Sequence, residues 1–247
     1  MNINLEKKER IDDLEYKGLK IIQNEDGFCF GIDSVLLSDF AKGIKDNTIV
    51  ADLGTGTGII SILLSAKTKT KKIYGIEIQE NVAEMAQRSV KLNQLEDRIE
   101  IVNEDIKIIR NRFGDCFFDA IVTNPPYKKD GSGLKNENIS KVISRHETAC
   151  TLEDIIKESF YVLKDKGEFY MVHRPDRLVD ILYLMRENKI EPKVMRMVYS
   201  KQKEKPVLVL IKGIKNGGQE LINEKPLYIY KEDGKYTDEI LKIYNKI

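Results

Sequence analysis

The sequence predicts an α/β fold built on a doubly wound, mostly parallel sheet, and three observations carry that expectation. Short apolar runs alternate with helix-period segments from residue 48 onward. A glycine loop, Asp52-Leu53-Gly54-Thr55-Gly56-Thr57-Gly58, joins the first of those runs to its helix. Near the end, two apolar runs are joined by Ser200-Lys201-Gln202-Lys203-Glu204-Lys205 with no helix between them, which predicts an antiparallel hairpin.

The elements follow in order. Residues 20–24 and 28–30 flank Asp26-Gly27, a turn dipeptide, and predict a hairpin ahead of the sheet. Residues 48–53 read as the first strand and 59–66 as its helix. Residues 72–78 give the second strand; 81–92 give a helix with Val82, Met85, Ala86, Ser89 and Val90 on one face. Residues 98–102 and 118–123 are the third and fourth strands. Thr151 caps a helix over 152–163, with Glu153 and Asp154 favourable in its first turn. Residues 168–173 form the fifth strand and 175–188 a helix with proline near its start. The hairpin strands cover 194–199 and 206–211. A short strand over 227–230, a turn at Asp233-Gly234 and a Thr237-capped helix finish the chain.

A chain of 247 residues, 41% hydrophobic and 33% charged, suits one domain with a sizeable core. The reading is a single domain over 1–247 with an N-terminal hairpin and helix extension over about 1–47. The first ten residues are charged, without the apolar segment of a signal peptide, and no run reaches the length of a membrane span. Cys29, Cys116 and Cys150 form no C-x-x-C pair, which points to reduced thiols in a cytoplasm, each a small core residue, and to no metal site. A net charge of +1 excludes a non-specific nucleic-acid coat and leaves any nucleic acid to a local basic patch.

Two motifs carry the chemistry. Glycines at 54, 56 and 58 permit positive φ and close approach of a ligand, and Glu77 ends the next strand where a carboxylate can accept both hydroxyls of a ribose. Asp105 follows the third strand and reads either as a partner of an adenine amino group or as a helix N-cap. The second motif, Asn124-Pro125-Pro126-Tyr127, closes the fourth strand. A planar amino group is a poor nucleophile, because its lone pair is delocalised, and a site acting on it needs acceptors for both N–H groups and a flat surface. Asn124 offers a side-chain carbonyl, Pro125 a backbone carbonyl aimed by the two fixed proline φ angles, and Tyr127 a stacking face.

With these motifs in place, the chain resembles the class I S-adenosylmethionine-dependent methyltransferases. It is most similar to the bacterial tRNA(Val) adenine-37-N6-methyltransferase family. Further segments carry the likeness: Phe30-Gly31-Ile32-Asp33-Ser34-Val35-Leu36-Leu37, Arg145-His146-Glu147, and Val172-His173-Arg174-Pro175-Asp176-Arg177-Leu178. The resemblance implies a seven-stranded Rossmann-like sheet with one antiparallel strand. It implies cofactor contacts at Asp33, Asp52, Gly54, Gly56, Gly58, Glu77 and Asp105, with residues 33–37 closing over the methionine end. Asn124, Pro125, Pro126 and Tyr127 would hold the base, and tRNA would be the partner, with no membrane or protein partner implied. Lys128, Arg145, Lys201, Lys203 and Lys205 are the candidate RNA contacts; residues 128–147 read either as a lid or as an ordinary solvated loop. His146 reads as an RNA contact or a loop-ordering residue, and His173 as structural. The competing reading is a protein glutamine-N5 methyltransferase of release factors, whose substrate amide is also planar. Those enzymes usually carry an N-terminal helical domain, whereas a hairpin is expected here.

Overall fold

The computed structural model describes residues 5–25, 27, 31–126 and 150–247. Strands β1 (Glu9–Asp13) and β2 (Lys20–Asn24) precede helix α1 (Ile32–Phe40). Then come β3 (Ile49–Leu53), α2 (Ile59–Lys67), β4 (Lys72–Glu77), α3 (Glu80–Leu92) and β5 (Ile99–Asn103). A 3-10 turn, Ile106–Ile108, leads into α4 (Ile109–Phe113) and β6 (Phe118–Thr123). After residue 150 follow α5 (Leu152–Val162), β7 (Leu163–His173), α6 (Leu178–Glu187), β8 (Ile190–Tyr199) and β9 (Pro206–Lys215). Two-residue strands β10 (Ile222–Asn223) and β11 (Leu227–Tyr228) and helix α7 (Asp238–Ile243) end the chain.

The main sheet runs β8-β9-β7-β6-β3-β4-β5, with β10 and β11 on the outer edge of β8. β9 is antiparallel to both of its neighbours and every other pairing is parallel. The expected mostly parallel sheet with one antiparallel strand is therefore present. Among the described residues the sheet has seven long strands, and the two-residue β10 and β11 extend its edge. Successive residues of each central strand feed opposite faces. Val50, Ala120, Val122, Tyr170 and Val172 enter the core under α1, α2 and α3, while Ala51, Ile121, Phe169 and Met171 enter the core under α5 and α6. Burial on both faces demands continuous apolar runs, which is why these strands were readable. The Thr151 cap is a full capping box. Thr151 Oγ1 accepts the Asp154 N–H at 3.1 Å, and Asp154 Oδ2 accepts the Thr151 N–H at 2.9 Å.

Several boundaries move. β7 begins at Leu163 rather than 168, β8 at Ile190, and β9 runs on to Lys215, because pairing with neighbouring strands continues past the apolar runs. The segment over 175–188 opens as a 3-10 turn, Pro175–Arg177, before α6 begins. The strand expected over 227–230 is regular only at Leu227–Tyr228; Ile229 N–H and Tyr230 N–H still donate to the Tyr199 and Ser200 carbonyls at 2.9 Å, and Tyr230 bridges Tyr236. Cys116 is exposed in a turn at φ 56°, not a core residue, and Cys150 is half-buried; Cys29 lies outside the described residues.

Lys20–Asn24 is antiparallel to Glu9–Asp13, a pairing the sequence did not suggest, while the expected partner strand over 28–30 lies outside the described residues. Tertiary contacts fix this choice. Arg88 of α3 grips Glu9 at 2.6 and 2.7 Å, Ser89 Oγ accepts the Ile22 N–H at 3.0 Å, and the Asn93 amide bonds both backbone groups of Lys20. The Arg88 guanidinium holds the Glu9 carboxyl below the usual carboxylate range. Among the described residues no helix is long and apolar enough to cross a membrane, and no cluster of three His, Cys, Asp or Glu side chains suits a metal ion.

Candidate active site at the carboxyl edge of the sheet

In an open parallel sheet, ligands bind outside the carboxyl ends of the strands, where the chain turns away and leaves a crevice. Here that edge carries the glycine loop after β3, Glu77 ending β4, Asp105 after β5 and Asn124 after β6. Thr123 Oγ1 donates to the Leu53 carbonyl at 3.0 Å, tying the ends of β6 and β3 together. Asn103 bonds the Glu77 and Ile78 carbonyls and ties β5 to β4.

The loop folds back onto β4. Gly54 N–H and Thr55 N–H both donate to the Ile76 carbonyl at 2.9 Å, and Gly54, Gly56 and Gly58 take φ of 72°, 56° and 90°. At Gly54 and Gly56 an added Cβ would meet nothing within 4 Å, so that side of the loop faces open space. Glu77 is buried, with Oε2 accepting the Gly56 N–H and Oε1 the Gln79 N–H, each at 3.0 Å. Two carboxylate oxygens offer about four lone-pair sites, so further acceptor capacity remains.

Asp52 sits beneath the loop rather than facing the crevice. It is fully buried, and its Oδ2 accepts from Thr55 Oγ1 at 2.6 Å, Ser61 Oγ at 2.8 Å and Ser61 N–H at 3.1 Å. Burial pushes its carboxyl up to about 6 against those bonds, and the Glu77 charge adds to the rise. Its place in the site is to order the loop and the start of α2. Asp105 caps the 3-10 turn, accepting the Lys107 N–H at 2.9 Å, so the N-cap alternative describes its contact while its carboxylate stays partly exposed.

Asn124 is the other half of the site. Its Nδ2 lies 3.3 Å from Asp33 Oδ2 and 3.3 Å from Ser34 Oγ, and its Oδ1 is buried without a hydrogen-bond partner among the described residues. A carboxylate only accepts, so the amide nitrogen must face Asp33 and the oxygen must face away. Pro125 is buried and Pro126 exposed. Tyr127, Lys128, Arg145, His146 and the loop over 128–147 lie outside the described residues. His173 is buried at the end of β7, where its Nδ1 accepts the Arg174 N–H at 2.8 Å.

The basic link joins β8 to β9 at the same edge, because β8 runs parallel to β7. His173 pairs with Val209, so Pro206, Val207 and Leu208 carry the hairpin past the end of β7. Lys203 and Lys205 are exposed at its tip, and Lys201 is drawn aside to the Glu232 carbonyl at 3.4 Å. Sequence reasoning missed Ser61, Gln79 and Asn103, and the contact of Ser34 with Asn124, because these bonds span the fold or depend on the loop's shape.

A family model described as the methyltransferase small domain matches residues 31–187. The chain belongs to the methyltransferase small-domain family. Among its relatives is the tRNA1(Val) (adenine(37)-N6)-methyltransferase of Porphyromonas gingivalis, 31% identical over 69% of this chain and 68% of the relative. A protein of the same name from Bacteroides fragilis is 25% identical over 93% of this chain and 94% of its own. Among solved structures, a predicted O-methyltransferase of Agrobacterium tumefaciens superposes with a TM-score of 0.68 at 21% identity, covering 86% and 95% of the two chains. M. jannaschii TYW2, solved with AdoMet, gives 0.58 at 16% identity, covering 86% and 88%. These two likenesses concern the fold of this methyltransferase.

Proposed function

We propose that this methyltransferase transfers a methyl group from S-adenosylmethionine to N6 of adenosine 37 in a tRNA. The observation that carries the reading is Asn124 Oδ1, buried at the carboxyl edge of the sheet on the side of the amide away from Asp33, with no hydrogen-bond partner among the described residues. An unpaired buried acceptor is costly, and an amino group's N–H is what relieves it. The names of the relatives supply the substrate, tRNA adenosine 37.

The residues on the edge fit the cofactor. Gly54 and Gly56 leave the loop open, and Glu77 retains lone pairs for ribose hydroxyls. Asp105 stands one strand further along for the adenine end, and Asp52 keeps the loop in shape from below. When bound, S-adenosylmethionine supplies a methyl group whose former bonding pair stays with sulfur. The chain's own work is to hold the acceptor nitrogen. Asn124 Oδ1 takes one N–H, the Pro125 carbonyl takes the other, and Tyr127 stacks on the base. As the nitrogen spends its lone pair, its N–H groups become more positive, and acceptors already aimed at them stabilise that change more than the ground state. One proton then leaves to water.

Tracking the RNA backbone falls to Lys203 and Lys205 on the β8–β9 link, with Lys201 behind them and Lys128 and Arg145 beyond the described residues. A tRNA substrate is in keeping with a cytoplasmic protein. The test is transfer of labelled methyl groups to unfractionated tRNA and, separately, to a release factor, followed by digestion and mass spectrometry. N6-methyladenosine in the tRNA digest supports the reading. Label only in N5-methylglutamine overturns it in favour of the protein substrate.

A further inference from the structure

Asp33 lies in the first turn of α1, 91 residues from Asn124, and is only 6% exposed. Its Oδ1 accepts the Ser34 N–H at 3.1 Å, which leaves Oδ2 turned to the Asn124 amide nitrogen. A Cβ at Gly31 would stand 2.6 Å from Asp33 Oδ1, so only glycine at 31 lets the carboxylate sit where it does. The resemblance puts Asp33 on the methionine end of the cofactor, whereas the contact in the structure is to the side chain that would hold the base.

We propose that Asp33 is a positioning residue for methyl transfer, acting through the Asn124 amide. Two effects follow from one contact. It selects the amide orientation, because the reverse flip would set Asn124 Oδ1 against a carboxylate oxygen. It also places a negative charge behind the amide in a buried setting, where an interaction of this kind is stronger than in water. Electron density shifts toward Oδ1, the atom on the far side of the amide from Asp33, and makes it a better acceptor for an amino group gaining positive charge. Ser34 Oγ, also at 3.3 Å, gives the amide a second anchor without a charge. This inference rests on the reading of Asn124 as the acceptor for the base.

The experiment compares wild type, Asp33→Asn, Asn124→Asp and the double swap. It reads kcat and KM on an unmodified tRNA transcript, S-adenosylmethionine affinity by calorimetry, and thermal melting. Asp33→Asn is expected to lower kcat by about 10–100-fold with KM and cofactor affinity little changed. Asn124→Asp, which sets two carboxylates against each other, should lose more. The double swap restores one carboxylate and one amide across the contact, and should recover at least about tenfold in kcat over Asn124→Asp, the scale of a coupled pair. That recovery decides the question even if Asp33→Asn alone folds poorly. A double swap no better than Asn124→Asp overturns the proposal. So does an Asp33→Asn variant that loses cofactor affinity but keeps wild-type kcat at saturation, which makes Asp33 a cofactor ligand. A wild type that methylates no adenine overturns the base-acceptor reading itself, and with it this proposal.

Discussion

Glu77 Oε2 accepts the Gly56 amide at 3.0 Å, so the carboxylate ending β4 holds the loop that ends β3. Its other oxygen takes the Gln79 N–H at 3.0 Å, which fixes the carboxylate in one plane before any ligand arrives. Glu77→Gln removes the charge and turns an NH2 toward one of those two donors. Bonds to a charged acceptor are each worth about 1.5–3 kcal/mol, so cofactor affinity should weaken about 10–100-fold. Titration calorimetry with S-adenosylmethionine checks this; an affinity close to wild type removes Glu77 from the cofactor site.

Asn124→Ala deletes the acceptor and leaves the glycine loop untouched. Turnover should fall by about 10²–10³, the scale for losing one preorganised polar contact, while cofactor affinity stays near wild type. Single-turnover kinetics beside calorimetry separate the two quantities. Near-normal turnover would mean that Pro125 and Tyr127 hold the base without Asn124.

Asp52 gives a pH signature. Its carboxyl is raised to about 6 in the folded protein against an ordinary 3.8. Between those values the folded state keeps a proton the unfolded chain has lost, so stability falls as pH rises through the window, and the loss is complete above it. The full effect is on the order of 3 kcal/mol at about 1.4 kcal/mol per unit. The difference in melting temperature between wild type and Asp52→Asn should therefore decline as pH rises from about 4 to about 6. A flat difference over that range contradicts the assignment.

Exposed lysines at the β8–β9 link predict a salt effect. Lys203 and Lys205 are free at the tip, and Lys201 is engaged with the Glu232 carbonyl. Replacing Lys203 and Lys205 with alanine should weaken tRNA binding and lower the salt slope by up to about two phosphate contacts, with Lys201 adding little. Binding titrations at several salt concentrations measure the slope. An unchanged slope returns the link to a plain turn.

The central sheet was legible because strands buried on both faces need near-continuous apolar runs, and β3 supplies Ile49, Val50, Ala51 and Leu53 while β6 supplies Phe118, Ala120, Ile121 and Val122. The glycine loop and Asn124 were legible because their roles depend on residue type at a strand end. What stayed hidden depends on contacts far apart in the chain. The strand Glu9-Arg10-Ile11-Asp12-Asp13 carries four charges in five residues and no β pattern; its partner is chosen by Arg88, 79 positions away. Asp52 was visible as a carboxylate near the end of a strand, but only the fold shows it fully buried and bonded to Thr55 and Ser61. The pairing of Asp33 with Asn124 bridges 91 positions and has no local signature.

The most direct measurement of the central claim uses two transcripts of tRNA1(Val), one with adenosine and one with guanosine at position 37. Guanine offers a carbonyl oxygen where adenine presents its N6 amino group, so Asn124 Oδ1 has no donor to accept there. Incubated with S-adenosylmethionine and this protein, the first transcript should take up one methyl group per molecule, recovered as N6-methyladenosine at position 37. The second should take up none. Equal methylation of both transcripts, or recovery of the methyl group at any atom other than N6, contradicts the account.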